Sequence, residues 1–215
     1  MAEKSLDRKQ QRILADPSCD EFILADAKDA DMAFGLAAPG KSPEMHADEA
    51  RFRTLQQYRD LIRANVEQGL VDIMLMSAST SEVLTLRERR FDASHVTPAI
   101  RANDTTDVWL AQGGVYTAQP ARPFRTATID HAMCGKVACA PEERTGGVNL
   151  GLYSVTFNND LERDHEALER YAEFRAEAEA KGFRHFLEIF DPNAPQAPVR
   201  DLGRYLNDMI VRTLA

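Results

Sequence analysis

Five short apolar runs, each meeting a cluster of polar side chains at its end, set the rhythm of the chain. Phe22-Ile23-Leu24-Ala25 leads into Asp26 and Lys28, and Val71 to Met76 leads into Ser77 and Ser79. Val96 to Ile100 runs into Arg101, Asn103 and Asp104; Val148 to Phe157 runs into Asn158, Asn159 and Asp160. The last run, Phe183 to Phe190, carries Glu188 within it and stops at Asp191. Helical periodicity lies between the runs. A helix is expected from about Ala47 to Gln68, with Phe52, Leu55, Leu61, Ile62 and Val66 on one face and Gly69 as its stop. Others are expected at Ser81 to Arg90, capped by Ser79 or Thr80, and at Leu161 to Ala180, capped by Asp160 and ended by Gly182. In that second helix Leu168, Tyr171, Phe174 and Ala178 face inward, and a last helix spans Asp201 to Leu214.

A helix between successive strands implies parallel pairing and right-handed crossovers. The expected fold is therefore α/β, a parallel (β/α) TIM-barrel type with strands at about 22–27, 71–77, 96–101, 150–157 and 184–190. Five strands do not close an eight-stranded barrel, so the expected barrel is incomplete and ends before a sixth strand. Residues 1–18 read as an N-terminal helical extension (Ser5 to Ala15, with Ser5 as cap) and 19–215 as the barrel-type domain. The stretch from Asn103 to Gly147 is irregular, broken by Gly113-Gly114, Arg122-Pro123 and Gly146-Gly147, with one apolar stretch at Val108-Trp109-Leu110. So long an insertion in a compact domain usually carries function or hides structure of its own.

Composition narrows the function classes. The chain has 215 residues, 44% hydrophobic and 28% charged, as in ordinary globular domains. Its net charge of -8 argues against general nucleic-acid binding, which needs a surplus of Lys and Arg. No apolar run approaches the roughly 20 residues that span a bilayer, and the charged N-terminus is no secretory signal. The 3 cysteines, an odd number, are too few for a disulfide framework, which makes a reducing cytoplasm the expected home.

In parallel α/β folds ligands bind outside the carboxyl ends of the strands, so the polar ends are the candidate chemistry. Asp26 and Lys28, two apart, share one strand face, where the acid either pairs with the ammonium or tunes it for covalent work. Asp29 and Asp31 add negative charge, which holds the lysine protonated and works against a nucleophilic amine. Glu188 lies between Phe186 and Phe190 on one face, with His185, Leu187 and Ile189 on the other. A carboxylate so placed suits proton transfer, or else forms a structural salt bridge. Ser77, Arg101, Asn103, Arg125 and Asn158 are the candidate substrate-binding residues, because guanidinium, amide and hydroxyl groups suit sugar hydroxyls and phosphate oxygens. Asn and Asp also serve turns and helix caps. His131-x-x-Cys134-x-x-x-x-Cys139 lacks the paired spacing of a zinc site, so no metal is expected. Nor is any cofactor, since no dinucleotide fingerprint or Walker loop is present.

Three strands together resemble a known group. Phe22-Ile23-Leu24-Ala25-Asp26, Ser154-Val155-Thr156-Phe157-Asn158-Asn159 and Phe186-Leu187-Glu188-Ile189-Phe190 are similar to class I aldolases of the (β/α)8 barrel type, the tagatose-bisphosphate and deoxyribose-phosphate aldolase-like proteins. The resemblance covers about Phe22 to Asp191. It implies a carbon–carbon lyase acting through a Schiff base on a phosphorylated sugar or keto compound, with Asp26 and Glu188 at the positions of the family acids. The family's Schiff-base lysine lies on a sixth strand, for which this chain has no counterpart. Lys28 is the one lysine expected on an inward-facing strand end. A sugar-phosphate isomerase or epimerase on the same fold, or a non-catalytic barrel fragment, is the alternative. The expected partners are the small-molecule substrate and a second copy of the chain, since a fifth strand left open should associate; neither nucleic acid nor membrane is expected.

Overall fold

A computed structural model describes residues 2–33, 35–42, 51–106, 110 and 116–215. The chain is an α/β protein with five strands in parallel pairings and helices packed on them. It divides into two compact units. The first comprises the described residues of Met1–Arg101 and Asp130–Asn149, the second Ala102–Ile129 and Leu150–Ala215.

The first unit holds helix α1 (Ser5–Ala15), strand β1 (Ala25–Lys28), a single turn α2 (Ala30–Ala33), helix α3 (Leu55–Gln68), strand β2 (Ile73–Met76), turn α4 (Ala78–Ser81), strand β3 (Thr97–Arg101) and helix α5 (Ile129–Cys134). β1 pairs with β2 and β2 with β3, both parallel and in sequential order. Thr54 starts α3 through a reciprocal capping box with Gln57, and Gly69 ends it at φ 64°, a left-handed conformation that suits glycine. That start differs from the expected one. The inward face is Tyr58, Ile62 and Val66, while Phe52, Leu55 and Leu61 remain exposed. A repeat of four residues forms the seam, and the expected start at Ala47 lies outside the described residues. Tyr58, Ile62 and Val66 pack with Met74 and Met76 of β2 into the core of this unit.

Other local departures have simple causes. Ser77 caps α4, since its Oγ accepts from the Thr80 N–H, in place of the expected Ser79 or Thr80. The helix expected over Ser81 to Arg90 gives way to a π-helical turn over Glu82–Arg87. Lys4 holds the cap position of α1 rather than Ser5, and its ammonium donates to the carbonyls of Phe91, Ser94 and Val96. Cys134 and Cys139 form a disulfide with a Cα separation of 6.2 Å, which the odd cysteine count did not suggest. Gly135 at φ 75° turns the chain directly after α5 and brings Cys139 back.

A cluster of ion pairs ties α3 to the π-helical segment. Arg63 donates to both carboxylate oxygens of Glu88, at 2.9 and 2.5 Å, and Arg90 adds a third bond. These donors hold the Glu88 carboxyl down at about 2. A depressed carboxyl contributes stability that is full above the unfolded value near 4.5 and is lost as pH falls towards 2. The advantage of the wild type over Glu88→Gln in thermal unfolding is therefore expected to shrink steadily between pH 5 and pH 2.5; a pH-independent difference would contradict this.

The second unit holds a two-stranded antiparallel ribbon, β4 (Asp104–Thr105) and β5 (Pro123–Phe124), then β6 (Leu150–Thr156), α6 (Leu161–Lys181), β7 (Arg184–Phe190) and α7 (Leu202–Leu214). The ribbon occupies part of the irregular insertion; Val108, Trp109 and Gly113-Gly114 lie outside the described residues. β6 and β7 pair in parallel over seven residues, from Leu150 opposite Arg184 to Thr156 opposite Phe190. Asp160 caps α6 as expected, accepting from the Arg163 N–H, and Gly182 closes it. Ala167, Tyr171, Phe174 and Ala178 are its buried face. Among the described residues, no helix is long and apolar enough to cross a membrane.

Candidate functional site

Each unit carries its own polar constellation. In the first, the register fixes which way the strand ends face. Asp26 stands beside Met74 and Lys28 beside Met76. Neighbours in a parallel register share a face, and both methionines pack against α3. Asp26 and Lys28 therefore point towards the helix. Asn65 of α3 confirms this, donating to Asp26 Oδ2 at 2.5 Å, while Lys28 Nζ bonds Asp26 Oδ1 at 2.9 Å. The pair shares one face as the spacing implied, but that face is not the inward one.

The opposite face of the same strands runs through Ala27, Leu75 and Ala99. It continues to Asp29 and Ser77, one residue past β1 and β2, and to Arg101, the last residue of β3. Arg101 Nη1 pairs with Asp29 Oδ2 at 3.0 Å, both groups nearly buried. Ser77 donates to Asp31 Oδ2 at 2.5 Å, and Thr80 Oγ1 donates to the same oxygen at 3.0 Å. This is a rigid polar layer of one guanidinium, two carboxylates and two hydroxyls.

In the second unit, Tyr153 of β6 packs on Tyr171 and Phe174, so odd-numbered residues of β6 face α6. Ser154, Thr156 and Glu188 lie on the other face, with Ser154 directly opposite Glu188. Ser154 Oγ donates to Glu188 Oε2 at 2.9 Å. Glu188 Oε1 takes no hydrogen bond from the described residues, and the carboxylate is half-buried. Phe186 and Phe190 flank it on the strand, as the alternation implied. Ser154 is itself held firmly. Its N–H donates to Asn103 Oδ1 at 2.7 Å, and its carbonyl accepts from Asn103 Nδ2 at 2.8 Å. Thr156 Oγ1, one step further along this face, is buried without a partner among the described residues.

The remaining candidates serve as braces. Asn103 is wholly buried and spends its amide on the Ser154 backbone. Asn158, equally buried, accepts from the Ala194 N–H at 2.8 Å and anchors the proline-rich loop. Arg125 pairs with Glu177 of α6 at 2.6 Å and lies over the Phe174 ring, on the helix-covered side of the sheet. His131 pairs with Glu82, and Cys134 with Cys139, so the groups of the His-Cys-Cys spacing are bonded elsewhere.

Asp29, Asn65, Ser154 and Thr156 were not among the candidates. Ser154, Thr156 and Asn158 do form a period-two polar row in an otherwise apolar strand, a signal visible in the sequence. Asn65 sits 39 residues from Asp26 and gives no local sign of their contact. No protein-family model matches the chain, and no curated protein matches it.

Proposed function

We propose that the chain is a proton-transfer enzyme acting on a small hydroxycarbonyl compound, in the manner of a sugar-phosphate isomerase or epimerase. The observation that carries this reading is the Glu188 carboxylate on a parallel strand, with Oε2 fixed by Ser154 and Oε1 unengaged. A base needs one oxygen oriented and the other at liberty to meet the substrate proton. Glu188 Oε1 takes the proton from the hydroxyl-bearing carbon beside the substrate carbonyl, and the electrons move into an enediolate. Glu188 returns the proton to the former carbonyl carbon while the hydroxyl proton passes to the former carbonyl oxygen, so that carbonyl and hydroxyl exchange places. Phe186 and Phe190 lower the local polarity, and the Asn103 brace keeps Ser154 from following the carboxylate. The resemblance to aldolases of phosphorylated sugars supports trying such sugars and keto compounds first.

An aldolase-like lyase working through a Schiff base is the second reading, favoured by the same resemblance. It needs a neutral amine. Lys28 faces α3 and is bonded to Asp26, while Lys9, Lys136 and Lys181 are paired with Asp72, Glu143 and Glu177. Borohydride added with dihydroxyacetone is expected to leave the mass of the chain unchanged. A stoichiometric adduct on Lys28 would replace the isomerase reading with the lyase one. The direct test of the isomerase reading is interconversion of aldose and ketose phosphates, followed by NMR.

Association of the chain with itself is also proposed. β7 pairs with β6 along one edge, and among the described residues no strand pairs with its other edge. Ile189 is half-buried and Phe190 exposed there. Open strand edges with apolar side chains recruit further strands. Light scattering at micromolar concentration is expected to give more than the mass of one chain; a stable monomer would contradict this.

A further inference from the structure

The disulfide that follows α5 closes very little chain. Cys134 is the last residue of α5, and Cys139 stands only 5 positions beyond it. A cross-link over so short a loop restrains the unfolded chain least, because the entropy of closure grows with loop length. The flanking chain is also fastened without it. Ala132 and Met133 are buried, and the Ala132 carbonyl accepts from the Val148 N–H at 3.0 Å. Arg144 pairs with Asp130 at 3.3 Å and donates to the Cys139 carbonyl, while Arg89 donates to the Gly146 carbonyl at 2.6 Å. Inside the ring lie Gly135, Lys136, Val137 and Ala138, all exposed, Val137 by 91%. Lys136 pairs with Glu143 at the surface, a contact that holds little by itself. Opening the disulfide therefore frees this segment and leaves the fold in place.

The two cysteines are not equivalent. Cys134 is half-buried, whereas Cys139 is 8% exposed. Access decides which sulfur of a disulfide is attacked, and it favours Cys134. We propose that Cys134 and Cys139 are a redox-active pair that exchanges with dithiols, Cys134 as the attacked sulfur and Cys139 as the resolving thiol.

A thiolate of the dithiol attacks Cys134 Sγ, the bond to Cys139 breaks, and its electron pair leaves on Cys139 Sγ, which takes up a proton. The second thiolate of the dithiol then attacks the dithiol's own sulfur in the mixed disulfide and releases Cys134 as a thiolate. The dithiol ends as a disulfide, and the protein has gained two electrons. The pair lies in the first unit and does not rest on proton transfer at Glu188.

The test treats the full chain with dithiothreitol, alkylates it and maps the cysteines by peptide mass, with Cys19 as the reference free thiol. The pair is expected to open without urea and with unchanged far-ultraviolet circular dichroism. Limited trypsin should then cut after Lys136 about tenfold faster, since exposed loops are preferred sites of nicking. Oxidised glutathione should close the pair again with no lasting adduct on Cys134, because Cys139 attacks Cys134 Sγ and expels glutathione as a thiolate. In Cys139→Ser the adduct should persist on Cys134, and Cys134→Ser should take it on Cys139 about tenfold more slowly. A pair that opens only in urea, a trypsin rate that reduction leaves unchanged, or equal rates of adduct formation in the two variants would overturn the proposal. Should a variant fail to fold, the measurements on the wild type decide alone.

Discussion

Phe174→Ala is expected to lower the unfolding free energy by about 3–5 kcal/mol, the cost of removing a fully packed aromatic ring. Phe174 is wholly buried on α6, stacked on Tyr153 with centroids 4.7 Å apart and set edge-on to His185 at 5.2 Å. The Arg125 guanidinium lies over its ring, 5.2 Å from the centroid. Three neighbours therefore lose a partner at once, and the ring vacates a site that rigid strand and helix backbones border. Leu161→Ala on the same helix, where the side chain is 88% exposed, should change stability by no more than about 0.5 kcal/mol. Urea denaturation followed by far-ultraviolet circular dichroism measures both. Loss of less than 1 kcal/mol in Phe174→Ala, a value below the range for core aromatic truncations (about 3 kcal/mol at least), would show that this core is looser than described.

The second large effect is chemical. Glu188→Gln is expected to reduce turnover by about 10²–10⁴-fold, the share that a positioned base contributes to proton transfer. Glutamine keeps the shape of the side chain and still accepts from Ser154 Oγ, so the fold should be retained. What it loses is the basic oxygen. Ser154→Ala is expected to do less, because it releases one carboxylate oxygen without removing the base. Equal losses in the two variants would mean that the Ser154 contact, rather than the base, limits the reaction.

Much of the architecture was legible in the sequence, and the reasons differ by element. α6 announces itself through Asp160, the inward series Tyr171, Phe174 and Ala178, and Gly182, all local signals that the structure uses as read. β6 and β7 turn alternate residues towards α6 (Tyr153 on one, His185 on the other), so the period of two placed Glu188 with Phe186 and Phe190 on the opposite face. β1 misled for a physical reason. Its four residues alternate Ala, Asp, Ala, Lys, and polarity alone assigns Asp26 and Lys28 to the inward side. The strand lies at the end of its sheet, and Asn65 of α3 provides the polar partner that lets a carboxylate face a helix. Contacts of that kind depend on chain folding over long separations. The Asn103 clamp on Ser154 spans 51 residues and is equally invisible locally. At Asn103 and Asn158 the residue type is compatible with ligand binding and with loop bracing, and only their full burial decides for bracing.

The central claim is that Glu188 moves a proton at carbon. It is tested most directly by incubating the chain with aldose and ketose phosphates in D2O and following deuterium entry beside the carbonyl by proton NMR. Exchange reports proton abstraction even where no net product accumulates. Deuterium incorporation by the wild type, lost in Glu188→Gln and retained in Lys28→Met, is the result this account predicts. Exchange that survives in Glu188→Gln, or that vanishes in Lys28→Met, would contradict it.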